Sequence, residues 1–177
     1  DVNKFLRFGF RHLIHAEQFL IVRFDNKAAS PLLRVVHTYI CLEAFHAARP
    51  GWELSAIESG DAFMRLLKKA FLRSAYNADY RDADIVSRFD IIAVTKPLDE
   101  VEKPLNAVRW LSRRLADNGT LFLWQPALRM GTGLSLHGLP IRIANLTALC
   151  KTAGLSVDTI TTEGEVVCLC ARNTPQR

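Results

Sequence analysis

Histidine and cysteine are the residue types in this 177-residue chain that could most directly bind a metal ion or act as a base or nucleophile. None of them lies in the His-Glu-x-x-His or Cys-x-x-Cys spacing that is typical of zinc sites. His12 and His15 could share one face of a helix, but no acidic or thiol partner is spaced beside them. We therefore predict no metal site and interpret the histidines as packing or hydrogen-bonding residues. The five are His12, His15, His37, His46 and His137.

The cysteines do not form the dense pattern of a disulfide framework. Cys168 and Cys170 alternate with Val167 and Leu169, so both should lie on one face of a strand. We interpret these two thiols as reduced core residues, because free cysteine behaves as a small hydrophobic side chain. Reduced thiols favour a reducing compartment. The four cysteines are Cys41, Cys150, Cys168 and Cys170.

Two charged residues follow predicted strands, at the edge where open α/β sheets bind their ligands. Glu58 follows a strand predicted at 52–57, and a carboxylate at such a strand end can accept both hydroxyls of a ribose. The alternative for Glu58 is an exposed acid at the start of a loop. Lys96 follows a strand predicted at 89–95, and a solvated lysine is the simpler interpretation there. The sequence offers no recognisable catalytic set.

The composition predicts one globular domain. The chain is 49% hydrophobic and 23% charged, with no low-complexity bias. Its longest apolar stretches are far shorter than the roughly 20 residues that cross a bilayer, so no transmembrane segment is expected. A formal net charge of +5 permits contact with RNA, anionic lipid or an acidic protein face. Nucleic-acid binding has no further support, because the chain lacks an RNP-like aromatic motif and a dense lysine and arginine stripe.

The first 31 residues are predicted as an N-terminal helical segment and loop. Apolar residues from Asn3 to Phe24 recur with mostly helical spacing, and the polar positions between them are basic. A basic helical face is either solvated or a docking surface. The chain starts at Asp1 rather than Met, so removal of a targeting segment is compatible with the sequence. A mitochondrial matrix location fits the basic composition, and a trimmed cytoplasmic protein fits it equally.

Residues 32–177 alternate β-rich and helical runs, which is typical of parallel strands joined by crossover helices. The final two β-rich runs are separated by Gly164 and should form an antiparallel hairpin. In chain order the predicted elements are a strand at 32–38, a helix at 40–48, a strand at 52–57, a helix at 61–71, a weak strand at 74–77, a strand at 89–95, a helix at 105–115 stopped by Asn118-Gly119, a strand at 120–125, a helix at 143–153 ending at Gly154, and strands at 155–161 and 165–171.

The passage from Phe89 to Leu123 resembles the fourth strand, the following helix and the fifth strand of the class I S-adenosylmethionine-dependent methyltransferases. It opens with Phe-Asp and an apolar strand, and continues through Leu98-Asp99-Glu100-Val101. Asp117-Asn118-Gly119 replaces the family's usual Pro-Gly-Gly turn. Glu58 stands where the family has the acid that binds the cofactor ribose, and residues 143–171 resemble its C-terminal helix and hairpin. The resemblance implies a Rossmann-like three-layer α/β/α sandwich whose mostly parallel sheet ends in an antiparallel hairpin.

The first strand and its turn depart from that family. Its members usually carry an acidic residue and then Gly-x-Gly-x-Gly, which lets backbone amides approach the cofactor. This chain has no glycine in the segment 35–44, which ends the first predicted strand and continues into the following turn. His37 stands where the acid should be. Side chains of Tyr39, Cys41 and Glu43 would fill the space of the cofactor's methionine and ribose portions. Tyr39 and Cys41 are therefore predicted as vestigial cofactor-binding positions.

The resemblance leaves two functions open. In the first, a catalytically degenerate domain binds no cofactor and serves as a structural or assembly subunit with protein partners in a larger complex. In the second, an active methyltransferase binds S-adenosylmethionine through an altered turn, with Glu58 on the ribose and residues 95–99 near the methyl acceptor. Methyl transfer depends mainly on positioning, so sparse catalytic residues do not exclude the second. The lost turn and the basic N-terminal segment favour the first.

Overall fold

The computed structural model of the chain describes ten stretches of residues, and all structural statements below concern these. They are 18–22, 42–43, 46–47, 50–58, 68–77, 84–94, 98, 101–126, 143–163 and 166–173. The chain divides into two compact units, Asp1–Asp84 and Ile85–Arg177. The strands are β1 (Gln18–Val22), β2 (Glu53–Glu58), β3 (Leu72–Asn77), β4 (Phe89–Val94), β5 (Leu115–Pro126), β6 (Leu155–Glu163) and β7 (Val166–Asn173), and the helices are α1 (Pro104–Arg114) and α2 (Ile143–Thr152).

The first unit contains three parallel strands in the order β3-β2-β1. β2 is the central strand, and every residue in it after Glu53 is buried. A central strand of a parallel sheet is covered on both faces, which explains its apolar run of leucine, alanine and isoleucine. The strand predicted at 52–57 and the weak strand predicted at 74–77 are both confirmed, β3 starting two residues earlier than expected.

The position of the first strand corrects the sequence prediction. Residues 18–22 were expected to be helical, but they form β1 and pair in parallel with β2, from Gln18 opposite Glu53 to Val22 opposite Ile57. The run Phe-Leu-Ile-Val is too short for periodicity to distinguish a buried strand from a helix, and its β-branched residues favour the strand. The strand predicted at 32–38 lies outside the described residues, as does the rest of the 1–31 segment.

The second unit contains four strands in the order β4-β5-β7-β6. β4 and β5 are parallel, whereas β5 with β7 and β6 with β7 are antiparallel. The predicted C-terminal hairpin is thus confirmed, with both strands two residues longer at their carboxyl ends than expected. The buried core of this unit includes Ile91, Ile92, Leu121, Phe122 and Leu169.

Helix α1 connects β4 to β5 and confirms the helix predicted at 105–115. Pro104 occupies its first turn, where a missing N–H costs nothing. Ala107, Val108 and Leu111 form its buried stripe. The helix ends at Arg114, earlier than the predicted stop at Asn118-Gly119, because Leu115 already has an extended backbone and pairs with β4.

The predicted stop residues lie inside β5 instead. Between two paired positions, one residue of β4, Asp90, stands opposite four residues of β5, 116–119, so the segment around Asn118 bulges from the ladder. Asn118 has a φ of 63°, a conformation that asparagine tolerates better than most residues. Gly119 follows it in close contact with the backbone of Ala116 and Phe89. At the end of α2, Gly154 has a φ of 83° and confirms the predicted glycine stop.

The cysteines of β7 share one face of the strand, as their alternation predicted. Val167, Leu169 and Ala171 are buried on the other face, whereas Cys168 and Cys170 are half-buried. Both are free thiols, but the more deeply packed face is the aliphatic one. Among the residues described, no helix is long and apolar enough to cross a membrane.

Candidate functional site

Glu58, the predicted ribose-binding acid, is a polar side chain at the end of a buried parallel strand. It is the last residue of β2, at the carboxyl edge of the parallel strands, where open α/β sheets bind their ligands. It lies in register with Asn77, the exposed last residue of β3, and one residue beyond the pair of Ile57 with Val22 at the end of β1. The structure therefore places the predicted ribose-binding acid at the expected end of its strand.

The burial of Glu58 differs from the expectation of an exposed acid at a loop start. Only 4% of its surface is accessible. A buried carboxylate is costly unless it is paired or hydrogen-bonded, and Glu58 does interact within the protein. Glu53, at the other end of β2, is exposed and forms an ion pair with Arg73. One strand thus carries a surface acid at its start and a buried, engaged acid at its carboxyl end.

Of the residues predicted to fill the cofactor turn, Glu43 lies in the described part of the chain, whereas Tyr39 and Cys41 do not. Glu43 has a helical backbone, in agreement with the helix predicted at 40–48, and its carboxylate is 2.7 Å from Nζ of Lys69. β1 is the first strand among the described residues, and the connection that follows it begins at residue 23. That Tyr39 and Cys41 fill the space of a cofactor stays a prediction.

The connection from β1 to β2 also lacks glycine up to residue 50. β1 ends at Val22 and β2 begins at Glu53, and the first glycine of the intervening sequence is Gly51. Gly51 directly precedes β2 rather than following β1, and a Cβ placed on it would meet no atom within 4 Å. The lack of glycine noted at residues 35–44 thus extends over the longer sequence from residue 23 to residue 50.

Of the five histidines considered as metal ligands or bases, His46 is the one that lies in the part of the chain that the structure describes. Its ring stacks on Phe71 with centroids 4.4 Å apart and an interplanar angle of 9°. This contact supports the interpretation as a packing residue. The other four histidines, and Lys96 with its neighbours Thr95 and Pro97, fall outside those stretches.

The described thiols have the properties of unreactive packing residues. Burial raises the pKa of Cys150 to about 12 and that of Cys168 to about 11. Burial also raises the pKa of Cys170 to about 12, with a smaller contribution from Asp158. Thiolate is the reactive form of cysteine, so none of the three is poised as a nucleophile at neutral pH. Over the described stretches, no group of three or more His, Cys, Asp or Glu side chains could hold a metal ion.

Solved structures resemble this chain, although no family model and no curated protein matches it. A structure described as PigF with SAH is 16% identical over 97% of this chain and 54% of its own length, with a TM-score of 0.72. A Bacillus halodurans protein described as a methyltransferase is 13% identical over 98% of this chain and 99% of its own, with a TM-score of 0.71.

A third similar structure is the complex between the Haloferax volcanii Trm112 methyltransferase activator and a methyltransferase. It is 10% identical over 91% of this chain and 83% of its own length, with a TM-score of 0.71. The chain spans only about half the length of the O-methyltransferases that it matches. At these identities the similarity establishes the fold. The chain has the Rossmann-like α/β fold of the class I S-adenosylmethionine-dependent methyltransferases.

Proposed function

We propose that this chain is a methyltransferase-like domain that does not hold S-adenosylmethionine and that acts as a binding subunit of a larger protein assembly. The observation that carries the proposal is the lack of glycine between Val22, where β1 ends, and Gly51, just before β2. In this fold the turn after β1 brings backbone amides against the cofactor. Residues with a Cβ obstruct that approach and disfavour the positive φ values that such turns use.

The state of Glu58 supports the same proposal. A ribose-binding acid must offer its carboxylate oxygens to the two sugar hydroxyls. Glu58 is 4% exposed and already interacts within the protein. With so little accessible surface, Glu58 could offer both oxygens only after its surroundings rearranged, and that rearrangement would reduce the free energy of ribose binding. The residues present therefore fit the cofactor poorly, and no catalytic step is assigned to this chain.

A protein-binding role is compatible with what the fold does elsewhere. The Haloferax volcanii structure contains a methyltransferase of this fold in a complex with an activator protein. Fold alone does not fix a function, so the surfaces of this chain must supply the binding.

The alternative function is an active S-adenosylmethionine-dependent methyltransferase with an altered turn. The position of Glu58 at the carboxyl edge of β2 favours it. Methyl transfer is driven largely by the alignment of donor and acceptor, so a catalytic acid or base is not obligatory. In that case Glu58 would hold the ribose hydroxyls, and the cofactor would supply the methyl group.

Titration of the full chain with S-adenosylmethionine and with S-adenosylhomocysteine separates these two functions. We expect no saturable heat of binding and no rise in melting temperature with either ligand at 1 mM. A dissociation constant of about 10 μM would stabilise the fold by roughly 2.7 kcal/mol at that concentration, which is readily measured.

The variants Glu58→Gln and Glu53→Gln provide a matched pair for this titration, because they change the same residue type at the two ends of β2. Saturable binding that Glu58→Gln abolishes and Glu53→Gln leaves intact would establish the alternative. The assembly role is tested separately by the native mass of the protein in an extract of its source. A monomeric mass there contradicts an assembly role.

A further inference from the structure

Helix α1 presents a solvent face whose composition the fold does not explain. Asn106, Arg109 and Arg113 are exposed along it, and Trp110 lies beside them, half-buried. We call these four residues the basic face. The opposite side of the helix is the buried stripe of Ala107, Val108 and Leu111. Packing therefore accounts for one side of α1 and leaves the other to be explained.

The charges of the basic face are uncompensated within the described part of the chain. Arg73, Arg88 and Arg172 each form an ion pair with a carboxylate on a neighbouring segment. Neither Arg109 nor Arg113 has an ion-pair partner among the residues described. The helix itself contains no acidic residue. Arg109 and Arg113 are four positions apart, so their like charges repel each other across one helical turn.

The helix dipole explains only part of this arrangement. Arg113 and Arg114 lie in the last turn, where positive charge is favourable. Arg109 lies in the middle of the helix, where the dipole offers it nothing. Neither the helix dipole nor an ion pair within the described residues therefore accounts for its charge, whereas a bound anion would pair with it.

Trp110 gives the basic face an apolar and rigid component. The guanidinium of Arg114 lies 5.1 Å from the centroid of its ring, which fixes the ring on the helix surface. Tryptophan and arginine are the residues most enriched in the energetic centres of protein interfaces. Here both residue types are present on the outward side of one helix.

We propose that the basic face of α1 docks an acidic segment of a protein partner. Carboxylates of that segment would pair with the guanidinium groups of Arg109 and Arg113. A neighbouring apolar side chain of the segment would cover Trp110. A nucleic-acid backbone is a weaker match, because two or three charges neutralise too few phosphates to bind well at physiological salt. The inference names a partner class for the binding role proposed above and rests on that role, but its test does not depend on cofactor binding.

The test uses the full chain and a fluorescein-labelled decapeptide of eight glutamates and two central leucines. We expect saturable binding, measured by fluorescence anisotropy, that weakens as salt is raised. Arg109→Glu and Arg113→Glu should each weaken binding by about tenfold or more, and Trp110→Ala should weaken it comparably. Arg109→Gln and Arg113→Gln, which avoid introducing a new charge, should weaken it by a smaller factor.

Lys151→Glu is the matched control for Arg113→Glu. Both residues are exposed and lie in the last turn of a helix, and both substitutions change the net charge equally. We expect less than about a twofold effect from Lys151→Glu. Equal losses in the two variants would mean that only net charge matters, which overturns the proposal, as would no binding at all. Tighter binding of an oligouridylate decamer with the same residue dependence would also overturn it, by assigning the face to RNA.

Discussion

Strands β2 and β4 are alike in burial and differ at their carboxyl ends. Both are six-residue strands whose last four residues are buried, and both pair in parallel. β4 ends in Val94, which packing alone explains, whereas β2 ends in the buried acid Glu58. Burying a carboxylate costs free energy that an apolar residue would not. The difference teaches that packing alone accounts for the end of β4 but not for the end of β2, where a carboxylate is buried and has an interaction within the protein.

The largest expected effect is on the free energy of unfolding, when one buried isoleucine is truncated in each strand. It tests whether β2 and β4 are equally well packed. Ile57 in β2 and Ile92 in β4 both have no accessible surface. Truncation of each, Ile57→Ala or Ile92→Ala, should lower the free energy of unfolding by about 2–5 kcal/mol, because each leaves a cavity. Urea denaturation followed by far-UV circular dichroism measures both. A much smaller loss for Ile57→Ala would show that the first unit is less tightly packed than the second.

The next effect concerns the bulge in β5. A Cβ on Gly119 would lie 2.9 Å from the carbonyl oxygen of Ala116 and 3.0 Å from that of Phe89, and neither backbone atom can move freely. Gly119→Ala should cost about 1–3 kcal/mol of unfolding free energy. Gly51→Ala, where a Cβ meets nothing within 4 Å, is the control and should change stability by less than about 0.5 kcal/mol. Equal effects would mean that the close approach at Gly119 is relieved at no cost.

Replacement of the buried acid Glu58 tests how much its carboxylate contributes to the stability of the end of β2. Glu58→Gln should lower the unfolding free energy by about 1–2 kcal/mol, because Glu58 is buried and engaged. Glu53→Gln removes only an exposed ion pair and should cost about 0–1 kcal/mol. Thermal melts of the two variants at one pH give the comparison. A gain in stability for Glu58→Gln would show that the buried carboxylate is not stabilised by its surroundings and would favour the ribose-binding alternative.

The smallest effect is a dependence on alkaline pH. Burial raises the pKa of Cys150 to about 12 from its ordinary value of 9.0, so folding favours the protonated thiol. Its contribution is complete below pH 9 and is lost as the pH rises towards 12. Between pH 8 and about pH 9.7, Cys150→Ala should lose about 1 kcal/mol less stability than the original chain does.

Leu146→Ala is the control for this pH series, since it truncates a buried residue on the same helix without removing a titrating group. Its loss of stability should be the same at both pH values, relative to the original chain. Identical pH profiles for Cys150→Ala and Leu146→Ala would refute the raised thiol pKa.

The second unit was more predictable from sequence than the first, for physical reasons. The run Phe89–Val94, the amphipathic stripe of α1 and the glycine that ends α2 are strong local signals, and each agrees with the structure. The bulge at Asn118 was predicted as a helix stop because asparagine and glycine are common both at the ends of helices and in β-bulges. Its true role depends on pairing with β4, which no local pattern contains.

β1 was predicted as helical because its strand signal is short. Five residues, Gln18–Val22, contain too little periodicity to separate strand from helix, and their partner β2 lies more than thirty residues later. The end of β2, including Glu58, was predicted correctly from a family pattern. The burial of Glu58 was not, because accessibility is a property of the packed chain rather than of the motif.

The irregularity of β6 has a consequence for association with other molecules. β6 is the outermost of the described strands in its unit, and Asp158 is the extra residue where its pairing with β7 shifts register. The carboxylate of Asp158 is 2.5 Å from Nε of Arg172, so the inserted residue is anchored. A bulge and a charge at this position interrupt the regular row of amides and carbonyls that a foreign strand would use as a template. The outermost described strand of this unit, β6, is therefore a poor template for aggregation by strand addition.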